Sequence, residues 1–89
     1  MTPDEKADRL FQRIAEDRAS GQEVLRDLGE LERYCTDAYQ REKLHSAQNW
    51  AEICFSPRKW QRWGSRENVR GFLLADIDNF RRAVKRSVT

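Results

Sequence analysis

The chain has 89 residues, of which 38% are hydrophobic and 36% are charged, and its formal net charge is only +2. A chain this short buries about 60% of its unfolded surface, which leaves room for one modest core and none for a catalytic domain joined to a cofactor domain. No apolar run approaches the roughly 18 residues that a membrane helix needs, and there is no signal-peptide pattern. We therefore expect one domain over residues 1–89, cytoplasmic and without a membrane partner.

The small net charge conceals an asymmetry along the chain. Residues 1–55 carry 8 basic and 12 acidic side chains, a balance of −4, whereas residues 56–89 carry 9 basic and 3 acidic side chains, a balance of +6. Asymmetry of this kind indicates a polyanionic partner or the association of unlike faces.

The N-terminal part of the chain predicts two helices. Thr2 and Glu5 have the spacing of a capping box, Pro3 suits the first helical position, and the apolar residues that follow repeat at helical intervals. The spacing predicts a helix over 3–19. Ser20 and Glu23 repeat the capping box and predict a second helix over 21–35, and the short connection favours an antiparallel hairpin.

The middle of the chain predicts a third helix after a break. The apolar repeat loses phase near Arg41 and Glu42, and Thr36 and Asp37 just before them are good helix caps. We therefore expect a helix over 37–54. A single helix over 21–54 is the alternative.

The C-terminal part predicts a short helix and a long one. Ser56 and Pro57 form a helix start and Gly64 a stop, which together predict a helix over 57–63. Ser65 caps a final helix over 66–86, whose apolar arc consists of Val69, Phe72, Leu73, Ile77, Phe80 and Val84. No stretch has the alternation of a strand, so the predicted fold class is all-α, a small bundle of about five helices.

The residue types that support enzyme chemistry are scarce. His45 is the only histidine and projects onto the polar side of the third helix, and there is no CxxC pair for a zinc site. No nucleophile stands in a glycine-rich turn. The sequence therefore predicts no catalytic residue, metal, cofactor or small-molecule substrate, and we interpret Cys35 and Cys54 as reduced, buried thiols.

All three tryptophans lie between residues 50 and 63, which leaves two interpretations open. Trp60 and Trp63 can supply bulk to a core that is short of aliphatic side chains, because each indole can bury on the order of 200 Å². Alternatively, they form an aromatic surface together with nearby cations, of the kind found at protein hot spots and phosphate contacts. The cations are Arg58, Lys59 and Arg62.

The same stretch resembles a helix-turn-helix over 47–63. Ser56-Pro57-Arg58, with an apolar residue and Arg62-Trp63 after it, is similar to the recognition helices of excisionase-like and MerR-like DNA binders, and residues 75–80 resemble their final helix. The resemblance covers fewer than half of the residues and implies DNA binding. The chain departs from that pattern at Phe55, where the turn glycine is expected, and the turn is about one residue short. The strand pair of the wing is either missing or compressed into residues 64–71.

The final helix carries a basic flank. Arg70, Arg81 and Lys85 project onto one side of it, with Leu74 among them as a candidate exposed contact. Asp76 projects into the apolar arc, so we expect it to have a partner such as an arginine or a tryptophan N–H, because an unpaired buried carboxylate is costly.

These observations predict a small non-enzymatic helical interaction module, either an adaptor or a self-assembling protein. It would bind a protein partner with an acidic surface, or the acidic first two helices of another copy, through its basic, Trp-containing C-terminal surface. A DNA-binding regulator is the alternative, and an RNA-binding accessory protein is a third hypothesis. The candidate partner-binding residues are Arg58, Lys59, Arg62, Arg66, Arg70, Leu74, Arg81 and Lys85, with Trp60 and Trp63 as aromatic contacts.

Overall fold

The structure, a computed structural model, describes the backbone of residues 2–88 and the side chains of residues 2–87. The α-helices are α1 (Pro3–Ala15), α2 (Gly21–Leu31), α3 (Ala38–Cys54), α4 (Pro57–Trp60) and α5 (Arg66–Val88), and 3₁₀ turns follow α2 at Glu32–Tyr34 and α4 at Gln61–Trp63. The described residues contain no strand, which confirms the all-α fold class.

Four of the five described α-helices begin at a side-chain cap, and the exception is α4, where Ser56 makes no capping hydrogen bond. Ser20 accepts a hydrogen bond from the Glu23 backbone at 3.2 Å, and Asp37 accepts one from the Gln40 backbone at 2.8 Å. Each bond satisfies one of the backbone donors that the first turn of a helix leaves unpaired. The Asp37 cap also shows that α2 and α3 are separate, so the alternative of one helix over 21–54 is wrong.

The predicted helix ends are less accurate than the starts. The first helix was expected to reach residue 19 but ends at Ala15, because Asp17 adopts the left-handed conformation with φ 57°. The backbone N–H of Arg18 then bonds the carbonyl oxygen of Arg13 at 2.8 Å, which closes the helix end. The second helix gives way to a 3₁₀ turn after Leu31 rather than continuing to residue 35.

α5 packs against α3 and α1, and α2 closes the bundle by packing against both α1 and α3. Neighbouring helices run antiparallel. In the α1–α2 hairpin, for example, Lys6 pairs with Glu30 and Arg13 with Glu23. The buried core consists of Ala7, Leu10, Ile14, Val24, Leu28, Leu31, Leu44, Ala47, Ala51, Cys54, Val69, Leu73, Ile77, Phe80 and Val84.

The α1–α2 ion pairs lower the pKa values of their carboxyl groups. The hydrogen bond from Arg13 lowers the pKa of Glu23, and the hydrogen bond from Lys6 lowers the pKa of Glu30. Both carboxylates therefore remain charged above their ordinary pKa of 4.5 and hold the hairpin together there. That contribution is lost as pH falls through the lowered values.

One polar side chain, Gln40, lies fully inside the described part of the molecule. Its Oε1 accepts hydrogen bonds from the backbone N–H of Thr36 at 2.9 Å and from the Thr36 hydroxyl at 3.2 Å. Its Nε2 donates to the Ala83 carbonyl oxygen at 3.4 Å and to the Ser87 hydroxyl at 3.3 Å. Gln40 thus joins the start of α3 to the end of α5 at no cost in unsatisfied polar groups.

Both cysteines are free, as predicted, although only Cys54 is fully buried and Cys35 is partly exposed. Burial raises the pKa of both thiols, so each stays protonated at neutral pH.

Gly21 is required by a close approach between α2 and the end of α3, and replacing it tests this packing. A Cβ at position 21 would lie 2.9 Å from the Cβ of Phe55 and 3.0 Å from its Cγ. We expect Gly21→Ala to reduce the free energy of unfolding by about 1–3 kcal/mol, the usual cost of overpacking, as measured by urea denaturation.

Gly29 provides the matched control within the same helix. A Cβ at position 29 meets no atom within 4 Å. Gly29→Ala should therefore stabilise the protein by about 0.5–1 kcal/mol, because alanine has the higher helix propensity. Equal effects of the two substitutions would show that Phe55 does not constrain position 21.

Candidate functional site

The basic flank predicted on α5 lies against α1 of the same molecule. Arg81 Nη1 lies 3.4 Å from Asp8 Oδ1, and Lys85 Nζ lies 3.2 Å from Asp8 Oδ2. The Arg81 guanidinium also sits 3.9 Å from the centre of the Phe11 ring, within the range of a cation–π interaction. The charge of these two cations is thus partly compensated inside the fold.

Near the start of α5, a second carboxylate, that of Asp17, pairs with two arginines. Arg66 Nη2 lies 3.1 Å from Asp17 Oδ1, and Arg70 Nη1 lies 4.0 Å from the same atom. Asp17 reaches them because α1 ends early, in the left-handed turn described above. Four of the candidate partner-binding residues, Arg66, Arg70, Arg81 and Lys85, therefore form ion pairs with α1 and the turn that ends it.

Leu74 and Asp76 also have neighbours other than those expected. Leu74 is partly buried and packs against the core, so it is not the exposed contact that the helical projection predicted. Asp76 does have a partner, but it is the hydroxyl of Ser46 on α3 and not an arginine or a tryptophan N–H.

The cations of the α4 segment remain without a carboxylate. Arg58, Lys59 and Arg62 are all exposed, and none of them forms an ion pair within the described residues. The sequence from Phe55 to Arg66 contains no acidic residue, which accounts for the absence of a local partner. The three candidate cations that meet no carboxylate within the described residues thus all lie on α4 and the 3₁₀ turn after it.

The two interpretations of the tryptophans each hold for one residue. Trp60 is partly buried and packs against the core, whereas Trp63 is 48% exposed. The ring centre of Trp63 lies 4.9 Å from that of Trp50 in an edge-to-face arrangement. Trp63 is therefore the tryptophan that presents an aromatic surface.

Phe72 extends that surface and corrects a prediction. The helical projection placed Phe72 in the buried arc of α5, but its side chain is 46% exposed. Its ring lies 4.8 Å from the Trp50 ring, which is itself only partly buried. The helical projection gives the angular position of Phe72 on α5 but does not show how much of the ring another helix covers, and here Trp50 covers only part of it.

The backbone after Trp63 is held in place by a capped corner. Gly64 has φ 93°, a backbone conformation that residues other than glycine rarely adopt. The Asn68 side chain donates to the Trp63 carbonyl oxygen at 3.3 Å, and the Asn68 backbone donates to the Ser65 hydroxyl at 3.2 Å. These two bonds satisfy the Trp63 carbonyl and the Asn68 N–H, and they tie the segment that carries Trp63 to the first turn of α5.

The exposed rings and the unpaired cations form one surface. A groove of about 390 Å³ is lined by Ile53, Lys59, Arg62 and Trp63, and the Trp50 and Phe72 rings continue it beyond Trp63. We call this surface the aromatic–basic patch. Its residues are Trp50, Ile53, Lys59, Arg62, Trp63 and Phe72.

What the structure shares with a helix-turn-helix is limited to two helices, α3 and α4, joined by a turn. Only Phe55 and Ser56 separate α3 from α4, which is shorter than the usual three- or four-residue turn of that motif. Phe55 is partly buried and contacts Gly21, so it serves packing at the place where the motif has a glycine. The described residues contain no strand pair that could form a wing.

The remaining polar candidates form no further site. His45 is exposed, as predicted, and its Nε2 lies 2.9 Å from an Oε1 of Glu32. Among the described residues, no three His, Cys, Asp or Glu side chains lie together in a way that could hold a metal ion. None of the helices in residues 2–88 has the length and apolar character to cross a membrane.

Comparisons with known protein families, with curated proteins and with solved structures give no match for this chain.

Substitution of each tryptophan separately tests their assigned positions. Trp60→Ala should lower the free energy of unfolding by about 2 kcal/mol or more, because it removes bulk that packs against the core. Trp63→Ala should cost about 1 kcal/mol or less, since it loses one exposed edge-to-face contact. Urea denaturation of both variants measures this, and equal losses would contradict the division of roles.

Substitutions of Asp17 separate its backbone role from its charge. Asp17→Asn removes the ion pairs but tolerates the left-handed conformation, so we expect a loss of about 1 kcal/mol or less. Asp17→Ala should cost about 1–2 kcal/mol more, because alanine is disfavoured at positive φ. The comparison uses the free energy of unfolding. Asp17→Gly is the control that removes the ion pairs, as alanine does, but adopts positive φ without strain. Asparagine and alanine variants of equal stability would contradict this account of the helix end.

Proposed function

We propose that this protein is a small non-enzymatic interaction module that binds a protein partner through the aromatic–basic patch. The observation that supports the proposal is the coincidence of exposed Trp63 and Phe72 rings with cations that have no carboxylate partner in the described structure. Tryptophan and arginine are the residues most enriched among the hot spots of protein interfaces.

The arrangement favours a protein partner over nucleic acid. Affinity for duplex DNA comes mainly from the number of phosphates that lysines and arginines neutralise. Four of the candidate cations already face Asp8 or Asp17, and of the three that remain, Lys59 and Arg62 line a groove with Trp63. A short row of three cations supplies few phosphate contacts, whereas the rings offer apolar area that a protein surface can cover.

The arrangement also favours an adaptor over self-assembly through the acidic helices. Self-assembly of that kind requires carboxylates of α1 and α2 that are free to meet a second copy. Four of the six carboxylates on α1 and α2, those of Asp8, Glu23, Asp27 and Glu30, are already paired with cations of their own chain. We therefore propose a different protein, and not a second copy of this chain, as the partner.

A selection from a random peptide library displayed on phage tests the proposal. We expect the selection to enrich peptides that bind the unaltered protein. The double variant Arg62→Ala/Trp63→Ala should bind the same peptides at least about tenfold more weakly than the unaltered protein does, which is the loss typical of hot-spot residues. The matched control is Tyr39→Ala/Arg41→Ala, which removes an exposed aromatic ring and an exposed arginine from the far end of α3. The control should retain binding.

Two results would contradict the proposal. One is the absence of any peptide that distinguishes the patch variant from the control. The other is tight binding of labelled duplex DNA with a steep dependence on salt, measured by fluorescence anisotropy, which would favour the DNA-binding regulator. Light scattering of the protein alone reports whether it self-assembles.

A further inference from the structure

The groove of the aromatic–basic patch is lined by two apolar and two cationic side chains. Ile53 and Trp63 are the apolar ones, and Lys59 and Arg62, which we call its rim, carry an ammonium and a guanidinium group. Its volume of about 390 Å³ is at the lower end of the range for ligand sites. A space of this size fits one bulky side chain with its neighbours rather than the whole face of a folded domain.

The cations at the rim share one side of their turn. Lys59 and Arg62 are three residues apart, a separation that places side chains next to each other on a helical turn. Both are exposed, and neither meets a carboxylate within the described residues. An arginine fork pairs well with a carboxylate, and the adjacent lysine adds a second positive charge without demanding a particular geometry.

We propose, on the basis of the proposed function, that the groove binds a short acidic segment of the partner that carries one bulky apolar side chain. The apolar side chain enters between Ile53 and Trp63, and the acidic residues beside it pair with Lys59 and Arg62. Burial of the apolar side chain supplies affinity, and the carboxylates supply selection against neutral and basic segments.

The apolar wall distinguishes this ligand from an anion that lacks apolar groups. Inorganic phosphate or a nucleic-acid backbone can meet Lys59 and Arg62 but leaves Ile53 uncovered. An aliphatic or aromatic side chain between carboxylates satisfies both parts of the groove. A single-stranded oligonucleotide, whose bases can stack on Trp63, is the rival to be tested directly.

The test uses three labelled peptides of equal length in fluorescence anisotropy titrations with the full chain. The first carries one leucine flanked by glutamates, the second replaces the glutamates with glutamines, and the third replaces the leucine with alanine. We expect the second and third peptides to bind at least about tenfold more weakly than the first. Affinity for the first should also fall as salt rises, because the cations at the rim are exposed.

A charge reversal in the protein provides the matching arm. Lys59→Glu/Arg62→Glu should lose the acidic peptide and gain a peptide whose glutamates are replaced by lysines. The control Arg33→Glu/Arg41→Glu reverses two exposed cations away from the groove and should leave both affinities unchanged. Circular dichroism of each variant checks that the helices remain folded.

The outcomes separate this inference from the function on which it rests. If glutamine peptides bind as well as glutamate peptides, or if library-selected ligands of the patch contain no acidic residues, the inference that the ligand is acidic is wrong. The proposal that the protein is an interaction module is not affected by that result. If an oligothymidylate binds the patch more tightly than the acidic peptide, both proposals fail. If no peptide of the three binds, the inference fails, and the library selection alone decides the proposed function.

Discussion

The apolar stripe of α5 is the interaction on which the other helices depend. At a rise of 1.5 Å per residue, its 23 residues extend over about 35 Å, nearly the longest dimension of the molecule, 39 Å. Its buried residues are Val69, Leu73, Ile77, Phe80 and Val84. Each such side chain contributes about 1.5–3 kcal/mol on burial, and α1 and α3 both pack against this one helix. The buried face of α5 therefore contributes to the one core of this small chain along most of the helix.

The two sides of α5 carry different chemistry, and this division produces the candidate site. On the side of α1, arginines and a lysine meet Asp8 and Asp17, so charge is compensated within the fold. On the side of α3, Phe72 meets Trp50 and Asp76 meets Ser46. Three cations that meet no carboxylate within the described residues then lie on α4 and the 3₁₀ turn after it, the turn that carries the exposed ring of Trp63. The candidate interaction surface is therefore the part of the molecule that helix packing and ion pairing leave uncovered.

Helix starts were predicted better than helix ends, and the reason is physical. A cap at Ser20 or Asp37 needs only a side-chain oxygen and a backbone N–H three residues away, so the signal is contained in a few letters. The end of α1 depends on Asp17 adopting positive φ, and its carboxylate then lies on Arg66, far away in sequence. Phe72 shows the same limit, since the angular position on a helix does not say whether another element covers it.

The sequence by itself determined the all-α class, the starts of the helices, the long amphipathic α5 and the coincidence of cations with tryptophans before Gly64. These features depend on local backbone chemistry and on the periodicity of apolar residues. Only the tertiary structure decided that Trp60 packs against the core while Trp63 is half exposed. It also decided that Arg81 pairs with Asp8 while Arg62 meets no carboxylate within the described residues. Those outcomes depend on which helix packs beside which, because a charge or a ring is compensated by residues far along the chain.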